Sequence, residues 1–172
     1  MDAGRQSDSA AAKARTTGER TSDREFVVTR TVDGPARLVF EAWANPELFR
    51  RWWTPKSCGL TMISYEADVR TGGTYRLVMG HPSMDQPMAF FGRYIDVTPP
   101  SRIVWTNDEG GEEGPVTTVT FEEKDGATRL VVHELYPSKE ALDEALASGS
   151  TSGWGEQFEQ LDDLIAILDA KA

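Results

Sequence analysis

The sequence predicts an α+β domain in which a curved antiparallel sheet of seven strands is covered by a long C-terminal helix. Three observations predict it. From Leu60 to Tyr136, strand-like runs alternate with short turn-rich segments, and connections that short join antiparallel neighbours. Ahead of that stretch, one alternating strand pattern is followed by two short helical spacings. Behind it, Trp154, Phe158, Leu161, Ile165 and Leu168 recur at intervals of 4, 3, 4 and 3, one long apolar stripe. A sheet with one apolar face needs a cover, and that stripe supplies it.

Residues 1–24 carry no large apolar side chain after Met1. Such a segment has nothing to bury against the entropy of ordering, so it is expected to be a disordered tail, with the folded domain running over 25–170. In EFVVTRTVD, Phe26, Val28, Arg30 and Val32 share one strand face. Asp33-Gly34-Pro35 reads as a helix start, with Asp33 as the cap. Ala36, Val39, Phe40 and Trp43 then form one apolar helix face. Asn45-Pro46 ends this helix and opens a second, whose buried side is Leu48, Phe49 and Trp52.

The runs TMISYEADV, TYRLVM, MAFFGRYIDV, RIVWTN, VTTVTFEE and TRLVVHELY are the remaining strands. They are divided by TGG, GHPSMDQP, TPPS, DEGGEEGP and KDGA. In TGG, Gly72-Gly73 suits a tight hairpin. Ser138 is placed to cap a helix over KEALDEALA, and glycines at 149 and 153 interrupt before the terminal stripe.

The totals narrow the function classes. A chain of 172 residues is the size of one ordinary domain and needs no metal or disulfide staple. The formal net charge of −10 opposes binding to nucleic acid or anionic lipid, which takes clustered positive charge. No apolar run reaches the length of a membrane span, and no extended apolar leader opens the chain. The expected location is the cytoplasm. One cysteine excludes an internal disulfide framework.

Several segments, in order, resemble a known group. They are FVVTRTVDGPARLVFEAWANPELFRRWWTP, YEADVRTGGTYRLVM, GRYIDVTPPSRIVWT, VTFEEKDGATRLVVHE and SGWGEQFEQLDDLIAIL. Together they resemble the START-like (SRPBCC) superfamily and, more closely, the family named after the C-terminal domain of the activator of Hsp90 ATPase. The resemblance implies the helix-grip fold. It does not imply one activity, because the superfamily includes co-chaperone domains, small-ligand carriers and polyketide cyclases. The name-giving co-chaperone has an additional N-terminal domain, whereas only a short tail precedes this helix-grip region.

Pockets collect where a sheet meets a gripped helix. The candidate walls are Trp53, Tyr65, Tyr75, Met79, Phe91, Trp105, Val119, Trp154 and Phe158. An ordinary filled core is the competing reading. In RWWTPKSCG, Trp52 completes the apolar side of the second helix, while Trp53 either tips toward the cavity mouth or packs at its rim. Met62, Met79, Met84 and Met88 add deformable surface. MAFFGRYIDV is apolar on both faces, so its inward side stays open.

Catalytic chemistry has few candidates. His133 and Glu134 are adjacent on a strand and face opposite ways, so one of them, with Tyr136 nearby, is available to a cavity as an acid or base. No second acid–base partner follows from spacing. Glu66 and Asp68 read as the solvated side of a sheet, and Arg70 has Asp68, Glu66 or the cavity mouth as partners. His81, His133 and Cys58 have no spacing that holds a metal on one element, and no nucleotide or nucleophile-elbow motif is present. No cofactor is expected. Three readings stand: a binder of small hydrophobic or aromatic molecules, a module acting on an Hsp90-like chaperone as the resemblance implies, and a cyclase- or hydrolase-like enzyme. A homodimer through a strand edge or the 81–90 loop, with Met84 and Met88, is also available.

Overall fold

The computed structural model describes residues 16–109, 114–149 and 153–171. Its strands are β1 (Thr16–Arg20), β2 (Glu25–Val32), β3 (Thr61–Ala67), β4 (Thr74–Gly80), β5 (Met88–Thr98), β6 (Arg102–Thr106), β7 (Val116–Lys124) and β8 (Ala127–Leu135). The helices are α1 (Ala36–Ala44), α2 (Pro46–Phe49), α3 (Lys139–Ser148) and α4 (Trp154–Lys171), with a 3-10 turn at Lys56–Cys58. All neighbouring strands pair antiparallel, in the order β1-β2-β8-β7-β6-β5-β4-β3. This is the helix-grip arrangement, with eight strands where the sequence pattern shows seven.

The additional strand lies in the segment expected to be a tail. Residues 1–15 of that segment lie outside the described residues, but Thr16–Arg20 pair with β2 from Thr16↔Arg30 to Arg20↔Phe26. TTGER has no apolar periodicity, so its pattern carries no strand signal. Long-range polar contacts hold it instead. The Arg30 guanidinium donates to Thr16 Oγ1 at 2.7 Å, and Arg20 pairs with Asp143 of α3 at 2.6 Å. Gly18 faces the Phe26 ring, which a Cβ would meet at 3.0 Å.

Phe26, Val28, Arg30 and Val32 are all buried, as the alternation predicts. The α1 start differs from expectation: Pro35 holds the cap position, and the Ala36 N–H donates to Glu123 Oε1 of β7 at 2.8 Å, so a carboxylate from the sheet does the work expected of Asp33. Asn45 closes α1 and caps α2, accepting from the Glu47 N–H at 3.0 Å. Ser138 caps α3 as expected, and Gly149 ends it in the left-handed conformation at φ +77°.

The apolar stripe of α4 is buried at Phe158, Leu161 and Ile165. It packs on α1, β1 and β2, one half of the sheet. Close approach there depends on Gly34, where a Cβ would sit 2.4 Å from Ile165 Cγ2. Arg30, buried on the same face, forms an ion pair with Asp162 of α4. Bulges between Met62 and Ser64 and between Tyr94 and Asp96 interrupt the ladders of the other half, and such bulges bend strands. The helix on one half and the bent strands of the other leave an unfilled space between them.

Candidate functional site

That space is a cavity of about 900 Å³. Its walls come from β3 to β6, from α1 and α2, from the 53–60 segment and from the first turn of α4. Trp53, Tyr65, Tyr75, Met79 and Trp105, five of the expected wall residues, line it. Phe91, Val119, Trp154 and Phe158 do not line it. Phe91 faces outward and is exposed, because Phe90, Gly92 and Tyr94 take the inward face of β5. Val119 and Phe158 are fully buried in the packed core, and Trp154 stands edge-on to Trp53 with ring centres 5.7 Å apart. The reason is the offset of α4: its stripe fills the β1–β2 half, and only Gly153, Glu156 and Gln157 of its N-terminal end reach the opening.

The two tryptophans of RWWTPKSCG have separate tasks. Trp52 is fully buried, and its indole N–H donates to the Ala42 carbonyl at 2.9 Å. Trp53 turns to the cavity and stacks on Phe49 at 4.7 Å, and Phe49 in turn stacks on Tyr65 at 4.6 Å. Polar side chains of α4 hold the segment in place. Gln160 Nε2 donates to the carbonyls of Trp52 (2.9 Å) and Thr54 (2.8 Å), and Gln160 Oε1 accepts from the Lys56 N–H (3.0 Å). Gln157 donates to the Trp53 carbonyl at 2.6 Å. Glu156 accepts from the Ser57 N–H at 3.0 Å and from the Ser57 hydroxyl. These glutamines are invisible to a search for apolar faces, since they lie on the polar side of the stripe.

The deep wall is apolar and aromatic, formed by residues such as Trp43, Leu77, Phe90 and Ile103. The indole N–H of Trp43 is buried without a hydrogen-bond partner. One side is polar. Tyr75 donates to the Thr106 carbonyl at 2.8 Å, and Asn107 donates from Nδ2 to the Pro115 carbonyl (2.7 Å) and Thr117 Oγ1 (3.2 Å). Tyr65 and Tyr94 are both buried on this wall. Burial pushes the Tyr65 phenol up to about 12, and burial likewise raises Tyr75 and Tyr94, so all three are neutral phenols at physiological pH. Tyr94 and Asn107 were not among the expected wall residues. The first was hidden by the two-faced apolar pattern of β5, the second by its place at a strand end.

Among the described residues, no Lys, Arg or His lines the cavity, and Glu156, its single acidic wall residue, is engaged by Ser57 at the opening. Glu134 faces the interior, where burial raises its carboxyl above the usual range and Tyr136 donates to it at 2.8 Å, yet neither residue lines the cavity. His133 faces outward to Glu25 at 3.2 Å. Arg70 pairs with Asp68 at 2.6 Å on the surface. Met79 and Met88 line the cavity, and Met62 packs on the core. Among the described residues no cluster of three potential metal ligands is present, and no helix is long and apolar enough to cross a membrane.

This geometry can be set beside known proteins. The family described as Activator of Hsp90 ATPase homolog 1-like protein matches residues 33–166. The chain belongs to that family. Its superfamily is therefore the START-like one, as the sequence resemblance implied. A crystal structure of a Rhodobacter sphaeroides protein superposes with a TM-score of 0.80 at 23% identity, covering 89% of this chain and 99% of that one. A Mycobacterium smegmatis protein superposes at 0.73 with 25% identity, over 91% and 99% of the two chains. An AHSA1-like protein from Aeromonas hydrophila reaches 0.64 at 16% identity, over 83% and 94%. These likenesses show the fold. No curated protein is significantly similar to the chain.

Proposed function

We propose that this family member binds a small hydrophobic or aromatic molecule in the cavity between the β3–β6 half of the sheet and the α4 end. The observation that carries the reading is the 900 Å³ cavity itself, walled by aromatic and aliphatic side chains with a small polar group on one side. That size falls within the range of small-molecule sites, and so does the mixture of an apolar body with few polar atoms. The rigid stack of Tyr65, Phe49 and Trp53 supports a ligand with flat faces, since aromatic rings favour stacked or edge contacts.

The test is a melting-temperature screen of the full chain against apolar and aromatic compounds, repeated on Ile103→Trp. Ile103 lines the cavity, and a tryptophan there projects into the space a ligand would use. Ligands at about a hundred times their Kd stabilise by about 2.7 kcal/mol. Shifts in the wild type that vanish in Ile103→Trp support the reading, and shifts that persist in it refute the location.

Family membership supports a second reading, that the domain contacts an Hsp90-like chaperone. Pull-down with the host chaperone, followed by its ATPase rate, tests it, and absence of binding removes it. The enzyme reading is the weakest of the three, because Glu134 and Tyr136 stand off the cavity wall.

A further inference from the structure

The polar side of the cavity has an uneven supply of donors and acceptors, and this defines what it recognises. Tyr75 spends its one proton on the Thr106 carbonyl, and Asn107 spends both amide protons on Pro115 and Thr117. The same bonds fix which way the Asn107 amide points, leaving Oδ1 with only a 3.5 Å contact to Tyr75 Oη. Tyr65 and Tyr94 are buried side by side on the cavity wall, and even a bond between their hydroxyls would consume only one of the two protons. The other proton has no acceptor among the described residues. The Tyr75 and Tyr94 rings are 5.7 Å apart, which joins the two features on one side. Besides the buried Trp43 indole N–H, the site thus offers one phenol donor and one amide-oxygen acceptor, and among the described residues no cationic side chain lines it.

We infer that the cavity selects an uncharged aromatic molecule carrying a hydroxyl, which accepts from the Tyr65–Tyr94 pair and donates to Asn107 Oδ1. This rests on the binding reading above and sharpens it. A carboxylate is disfavoured because it must leave water with no positive partner. A plain hydrocarbon fills the apolar volume but leaves a donor and an acceptor unpaired.

Three probes with one ring skeleton separate these cases: naphthalene, 2-naphthol and 2-naphthoate, titrated calorimetrically into the full chain at pH 7. The expected order is 2-naphthol tightest, naphthalene about three- to tenfold weaker, and 2-naphthoate weaker still. Each single variant, Tyr65→Phe or Tyr94→Phe, keeps one hydroxyl. The double variant removes both and is expected to bind 2-naphthol no more tightly than naphthalene, with naphthalene affinity retained as the sign of an intact cavity. Equal binding of 2-naphthol and naphthalene by the wild type, 2-naphthoate binding as tightly as 2-naphthol, or a double variant that keeps the preference overturns the inference while leaving cavity binding intact. If none of the three binds the wild type, cavity binding falls and the inference falls with it.

Discussion

Replacing Gln160 with alanine tests how the cavity wall is held. This one side chain makes three hydrogen bonds to the 52–56 backbone, two donated and one accepted, all between 2.8 and 3.0 Å. A net value of about 0.5–1.5 kcal/mol per bond gives about 1.5–4.5 kcal/mol in total. The bonds are only partly buried or exposed, so water replaces much of what is lost, and alanine returns about 0.4 kcal/mol in helix propensity. The expected loss is therefore about 2 kcal/mol, or a fall in Tm of about 4–8 °C for a domain of this size. Gln157→Ala removes the single bond to Trp53 and should cost about a third as much. Urea unfolding followed by tryptophan fluorescence gives the free energies, and near-UV circular dichroism reports on the Trp53–Phe49 stack. A Gln160→Ala protein within about 0.5 kcal/mol of wild type, or one less affected than Gln157→Ala, refutes the idea that α4 positions this wall by hydrogen bonding.

Glu134→Gln should flatten the pH dependence of stability. Desolvation raises the half-buried carboxyl's folded-state pKa above its ordinary value, so the native state keeps its proton to higher pH than the unfolded chain. Stability is then lost as pH rises from about 4.5 through the folded pKa, and glutamine removes that slope, as urea melts across pH 4–8 will show. Phe158→Ala should cost about 3–5 kcal/mol in the same assay, because the ring is fully buried between α4 and the aromatic cluster of Trp43 and Trp154. Gly92→Ala should cost about 1–3 kcal/mol, since its Cβ would lie 2.0 Å from the Thr106 carbonyl oxygen and must displace the backbone that Tyr75 bonds to.

The fold was legible where burial follows a repeat. Phe26, Val28, Arg30 and Val32 alternate and are buried, and the interval pattern from Trp154 to Ile165 is the buried stripe of α4. β1 was not legible, because TTGER is held by backbone pairing and by Arg30 and Asp143, which are far away in the chain. Part of the cavity wall was legible for a related reason. Trp53, Tyr65, Tyr75, Met79 and Trp105 are large side chains on inward faces. Phe91 and Tyr94 lie on opposite faces of a run that has apolar residues on both, and only the packing of β5 in the sheet decides which one turns inward.

By itself, then, the sequence determined the element types apart from β1, the apolar faces apart from that of β5, and the family to which their order belongs. Periodicity reports on burial, and burial is a local property of each element. The tertiary structure alone decided where α4 lies across the sheet, and hence that Phe158 and Val119 fill the core while Tyr94 and Asn107 face a cavity. An unfilled volume belongs to the space between elements, and the spacing of residues within any one of them carries no record of it.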